Sequence, residues 1–324
     1  MRNTQRGFTL LEALVALAVI TIISLVVIGA LSPWIGLKQS VDTERKLQDL
    51  KQGLIAYYDS NAMAIEAQGN GTFGPFTRST PGGEGQCAEQ TSGFEQVSGK
   101  FSESPQQLAR DGYANPWCLF ISNPQTETRD GVKLWFRNVA VVSSGRDGKL
   151  DAATKMDDKG NLVTGGDDTG IVVSGYDIQY GKLKETLRRL SRVATMYETY
   201  FTTRFMAYPS RDITLYYFSR GSGSYDSTGA VESTGGAWRP VGTALSGIGV
   251  AAIDAVTPWE QFTDIEVGNA TESVTPSGGG AAVQVRSPAT TGTGMLPYTA
   301  LLRARLPAPA GQTVYATQVV VGNY

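Results

Sequence analysis

Gly7-Phe8-Thr9-Leu10-Leu11-Glu12 opens an apolar run that continues to Leu31, and Glu12 is the single charged residue between Phe8 and Leu31. The run is roughly two dozen residues, and at ~1.5 Å per residue that is enough to cross ~30 Å of hydrocarbon. A carboxylate near the start of such a helix is costly to bury and marks a functional position. Arg2 and Arg6 precede the run with no acid among them. The positive-inside rule therefore predicts a single-pass chain with its amino end in the cytoplasm. A secretory signal would have a shorter apolar core with a small-residue cleavage site after it. Here the small residue, Gly7, stands ahead of a run long enough to remain in the membrane.

Gly-Phe-Thr-Leu-Leu-Glu after a short basic leader resembles the signal of type IV pilins and of the pseudopilins of type II secretion. The resemblance implies a leader at residues 1–7, which prepilin peptidase removes by cutting after Gly7. It implies methylation of the new amino terminus at Phe8, and an assembly role for Glu12, the fifth residue of the mature chain. It further implies a bacterial inner-membrane protein that joins a periplasmic or extracellular filament. Its expected partners are the peptidase, other pilin or pseudopilin subunits, the inner-membrane assembly platform and membrane lipid. The fold expected is α+β. A long amino-terminal helix, transmembrane over 8–31 and amphipathic beyond, packs on an antiparallel sheet in a head over 32–180. A second α+β region follows over 181–324.

The chain of 324 residues is 41% hydrophobic and 18% charged, carries 38 glycines, and has a formal net charge of −2. That balance gives no electrostatic case for a nucleic-acid partner. There is no histidine, which removes the commonest general base and the commonest metal ligand. No Gly-x-Ser-x-Gly, phosphate loop or dinucleotide fingerprint occurs, and nothing positive supports an enzyme. Cys87 and Cys118 fall in the part expected outside the cytoplasm. One disulfide closing about 30 residues is the expected state, worth ~3–4 kcal/mol in the chain-entropy model, against the alternative of two separate thiols.

Pro33 follows the apolar run and reads as a kink in a continuing helix, with a true break as the alternative. From Val41 to about Ala62, Val41, Leu47, Leu50, Leu54 and Tyr57 recur at helical spacing among charged residues. Gln68 to Gly99 reads as a long loop, and Ser104 to Arg110 as a short helix with Ser104 as its cap and Pro105 at its first position. Leu119–Ser122 and Val132–Ser143 are strand candidates.

The order Asn115-Pro116-Trp117, strand, strand, Ser143-Ser144-Gly145-Arg146-Asp147-Gly148 resembles the major pseudopilin of type II secretion, which binds calcium in the loop after its last long strand. The resemblance carries Asp147 onto that site, with Asp167 and Asp168 as its later aspartate pair, and so implies Ca²⁺. This chain inserts residues between them, including Asp151, Asp157 and Asp158. Six to eight oxygens are what Ca²⁺ requires. A solvated loop of Asx turns is the alternative.

Leu183, Leu187, Leu190, Ala194, Tyr197 and Phe201 define an amphipathic helix over Lys182–Met206, with a basic side facing either water or anionic lipid. Strands are expected over Ile213–Ser219, Tyr298–Leu306 and Thr313–Val321, among Gly-rich loops at Gly221–Gly236 and Ser277–Gly294. Thr257-Pro258-Trp259 echoes Asn115-Pro116-Trp117. The second region is therefore either a second pilin-like head without an anchor or a large insertion in one head. Two functions follow: a structural subunit, a minor pilin or large pseudopilin, or a tip-located pilin whose carboxyl-terminal region binds a surface, DNA or a secreted substrate. Family members at the tip with large heads usually lack the glutamate, so Glu12 favours a subunit able to join beneath others.

Overall fold

A computed structural model describes residues 10–80, 85–97, 99, 103–157, 159–213, 217–220, 231–232, 238–241, 248–266, 273–274, 283–284 and 298–322. The class is α+β with antiparallel sheets.

Helix α1 runs from Leu10 to Glu66 and continues through Pro33 without interruption. Its head-facing stripe is set by spacing: Thr43, Leu47, Leu50, Leu54, Tyr58, Ala62 and Ile65 recur every three or four residues and are all buried. Val41, expected in that stripe, is 58% exposed. Residues 68–99 are not one loop. Strands β1 (Thr72–Phe73) and β2 (Phe76–Thr77) form a small hairpin, and α2 (Thr91–Val97) follows. Helix α3 is Pro105–Leu108, shorter than expected, and Ser104 occupies its cap without bonding to a backbone amide.

Strand β3 (Cys118–Ile121) pairs with β6 (Val139–Ser143), which pairs in turn with β9 (Thr169–Val173), all antiparallel. Residues 132–143, expected as one strand, are two. Strand β4 (Gln125–Arg129) pairs with β5 (Val132–Phe136) in a hairpin of its own, and the chain changes sheets at Arg137 and Asn138. The break follows from Arg137, whose side chain is fully buried. Its guanidinium donates to the carbonyls of Gly69 (2.6 Å), Thr72 (3.1 Å), Glu66 (3.2 Å) and Gln68, and pairs with the Glu66 carboxylate at 3.5 Å. Strands β7 (Lys155–Met156) and β8 (Leu162–Val163) form a hairpin within the inserted segment.

Helix α4 spans Gly175–Ala207 and begins seven residues before the expected start, so positions 180 and 181 both lie inside it. Ser174 caps it, its hydroxyl accepting from the Asp177 amide at 3.4 Å. Glycine is required at 175 because a Cβ there would stand 2.0 Å from the Arg137 carbonyl. Beyond α4, β10 (Ser219–Arg220) pairs in parallel with β11 (Val231–Glu232). Of the strand expected over Ile213–Ser219, residues 214–216 lie outside the described set and only Ser219 is in a strand. A four-stranded antiparallel sheet follows in the order β12 (Arg239–Pro240), β13 (Thr263–Glu266), β16 (Tyr298–Leu306), β17 (Val314–Gly322). A two-residue pair, β14 (Ser273–Val274) and β15 (Val283–Gln284), lies between them in sequence. Most of the two expected Gly-rich loops falls outside the described residues.

Two large apolar cores result, beside a small cluster around Cys87, Cys118 and Val142. One joins α1 to β3, β6 and β9, with Trp117 and Phe73. The other joins α4 to the four-stranded sheet, with Trp259, and includes Ala62, Val132 and Leu134 from the first half. A buried polar chain crosses between them. The Trp259 indole donates to Gln179 (2.8 Å), Gln179 donates to the Tyr58 hydroxyl (3.1 Å), and Tyr58 donates to Glu66 (2.5 Å), which faces Arg137.

Candidate functional site

The processing residues Gly7 and Phe8 lie outside the described residues, as does the Glu12 side chain, although the Glu12 backbone is part of α1. What the structure does define is the rod that follows. Every side chain described from 13 to 24 is exposed, with Leu14, Leu17, Ile20 and Ile23 each more than half so. Further along, Trp34 (74%), Leu37 (63%) and Val41 (58%) are exposed. At about 100° per residue these three share one stripe, turned away from the face that carries Leu47, Leu50 and Leu54 into the head. The first buried side chain described along α1 is Thr43. The described side chains at 13–24 and at Trp34, Leu37 and Val41 therefore present apolar surface that the chain's own head does not cover. Among the described residues no helix is long and apolar enough to cross a membrane. The longest stretch of described side chains in the run, residues 13–24, is shorter than the ~20 residues that a hydrocarbon core demands.

Cys87 and Cys118 are joined in a disulfide, with 5.4 Å between their Cα atoms. The bond ties the segment before α2 to the first residue of β3, and Phe120, Leu150 and Leu162 pack against it.

The three aspartates of the implied calcium site sit on neighbouring turns, and each has a backbone amide to serve. Asp147 accepts from the Lys149 amide (2.8 Å), Asp167 from the Arg146 amide (2.7 Å), and Asp168 from the Asp151 amide (2.8 Å) and the Thr154 hydroxyl. Asp151 and Asp157 likewise hold amides two residues on. Residue 158 lies outside the described set. Among the described residues no group of three or more His, Cys, Asp or Glu side chains is placed to hold a metal. One buried oxygen of the loop lacks a partner: Asp168 is 6% exposed, and its Oδ1 is buried without a hydrogen bond. A buried carboxylate oxygen left in that state is costly, and a cation would satisfy it. Ca²⁺ requires several more ligands than this one oxygen.

Sequence reasoning missed Asp111, which organises the approach to β3. It is 2% exposed and accepts from the Tyr113 and Asn115 amides (2.9 and 2.8 Å) and from the Ser143 hydroxyl (2.5 Å). Burial pushes its carboxyl above the usual carboxylate range, with the Ser143 hydroxyl pulling the other way. Its Asp-Gly dipeptide was the available signal for a turn.

Residues 2–28 match the family model described as the prokaryotic N-terminal methylation motif, the signal of type IV pilins and pseudopilins. Comparisons with curated proteins and with solved structures give no match. The signal supports a pilin-like or pseudopilin subunit: a substrate of prepilin peptidase that is anchored in a membrane before joining a filament with other pilins.

Proposed function

We propose that this chain is a structural subunit, a minor pilin or large pseudopilin, of a type IV pilus-like or type II secretion-like filament. The observation that carries the reading is the methylation motif at residues 2–28 continuing into a helix whose described apolar side chains before the head, such as Leu14, Leu17, Ile20, Trp34 and Leu37, are exposed. Apolar surface of that extent is unstable in water and finds its place in lipid before assembly and among other helices after it. Gly7 and Phe8 flank the cut, and Glu12 is the assembly residue. Mass spectrometry of the protein extracted from peptidase-bearing cells is expected to show a methylated Phe8 start. An intact Met1 terminus would overturn the reading.

Calcium is a further part of the proposal, resting on the unpartnered Asp168 Oδ1, with Asp147 and Asp167 on the adjoining turns. Adding Ca²⁺ to the chelator-treated protein is expected to raise its melting temperature by a few degrees, as a ligand bound only to the folded state must. Asp168→Asn is expected to abolish the rise. Identical melting with Ca²⁺ and with chelator sinks the site.

A further inference from the structure

Helix α4 repeats the head half of α1 residue by residue. Thr43 donates its hydroxyl to the carbonyl four residues back, Gln39, at 2.8 Å; Thr186 does the same to Lys182 at 2.9 Å. One residue earlier an acid pairs with the bases three and four residues on: Asp42 with Arg45 (2.8 Å) and Lys46 (3.5 Å), Glu185 with Arg188 (2.7 Å) and Arg189 (2.8 Å). The buried stripe continues at the same constant shift along the chain: Leu47, Leu50, Leu54 and Tyr58 correspond to Leu190, Val193, Tyr197 and Phe201, all buried. Amphipathic helices share a period, but a period does not dictate which position holds a threonine, an acid or a base.

What each helix grips also repeats. The Lys46 ammonium donates to the carbonyls of Gln107 (3.2 Å) and Arg110 (3.1 Å); the Arg189 guanidinium donates to those of Ile253 (3.0 Å) and Val256 (2.6 Å). Those carbonyls lie in and just after α3 in one half and the 3-10 helix Ala252–Ala255 in the other. Next comes the same closed loop, sealed by the bridge Arg110↔Pro116 or Val256↔Phe262. Asp111 and Thr257 each accept from the amides two and four residues on, and Ala114 and Glu260 stand at the same place with φ of 68° and 60°. A similar loop at Asp157–Asn161 shows that the loop alone is common; its recurrence under an equivalent base on an equivalent helix is what counts. Each loop feeds an antiparallel run of three strands, β3-β6-β9 or β13-β16-β17. In this alignment Pro258-Trp259 fall inside the loop whereas Pro116 closes it and Trp117 follows, so the Pro-Trp echo in the sequence is not a structural equivalence.

We infer that residues 175–322 are a second copy of the head formed by 32–173, lacking the membrane half of its helix. Resting on the filament reading above, the chain then carries two heads on one rod.

Amide hydrogen exchange on the full chain in detergent tests the copy. Lys46→Met is expected to speed exchange at Ala109 and Asp111 roughly tenfold, the loss of about one charge-assisted hydrogen bond, and to leave Asp254 and Thr257 unchanged. Arg189→Met is expected to do the reverse. Lys46→Arg and Arg189→Lys should both keep full protection. Exchange that is unmoved in either half, or that rises in both halves with one variant, overturns the equivalence. Immunogold labelling tests the filament reading separately: gold on fibres supports it. A chain absent from fibres would count against the filament reading itself.

Discussion

Glu12→Val is expected to leave the chain in the membrane and to cut its incorporation into filaments by about two orders of magnitude, the scale of stranding one buried charge without its partner. On the proposed reading, cutting the leader would leave Phe8 with a positive amine at the head of an apolar run. Inside a bundle of such helices an unpaired ammonium is strongly disfavoured, while one facing a carboxylate costs much less. The proposed assembly role would set Glu12 of one subunit against the Phe8 amine of a neighbour already in the fibre. Quantifying the protein in sheared filaments against the membrane fraction checks this. Incorporation at the wild-type level would exclude the pairing. Glu12→Gln separates the charge from the hydrogen bond, and on this account it should resemble Val more than Glu.

Arg137→Met is expected to lower the melting temperature by about 10 °C, the consequence of ~3–5 kcal/mol lost when one partner of a buried pair is removed. Glu66 and Arg137 are both fully buried, and the guanidinium also serves four carbonyls around the end of α1. Burial already pushes the Glu66 carboxyl above its usual range, with the Tyr58 hydroxyl and then Arg137 pulling it back. Removing Arg137 raises it further, so the folded variant takes up a proton more readily than the unfolded chain does. Stability tied to that proton is gained as pH falls toward the folded-state value and lost above it, so the deficit should be larger at about pH 8 than at about pH 5. Adding Glu66→Gln to the variant should recover part of the loss. Melting within a degree of the parent would show that the pair contributes nothing.

Much of this was legible in the sequence because burial leaves a period. Leu47, Leu50 and Leu54 announce one helix, Leu183, Leu190 and Tyr197 the other, and Tyr298–Leu306 is found with the bounds its apolar content indicates. Strand β4, Gln-Thr-Glu-Thr-Arg, was not legible by that route because it has no apolar face. The cue lay in the turn after it, Asp130-Gly131, whose φ of 51° and 72° are those of a tight hairpin. Arg137 ends one strand and begins another because it is an arginine turned inward, and composition alone gives no sign of which way a side chain turns. Burial of Asp111 and the free oxygen of Asp168 are likewise matters of tertiary placement. The Pro-Trp pair is the sequence's cue to a second pilin-like head, yet in the inferred alignment it is misplaced by several residues. The markers on which that inference rests, Thr43 with Thr186 and Lys46 with Arg189, look like ordinary helix surface until their partners are seen.

Because α1 runs unbroken from the apolar rod to Glu66, it is also a mechanical element. Traction on a fibre would travel along that helix and arrive at the carbonyls that Arg137 clasps, at the seam where both halves meet. The ion pair there acts as a rivet under shear, whereas the Cys87–Cys118 link lies beyond the helix end and closes a loop off the direct path of the load.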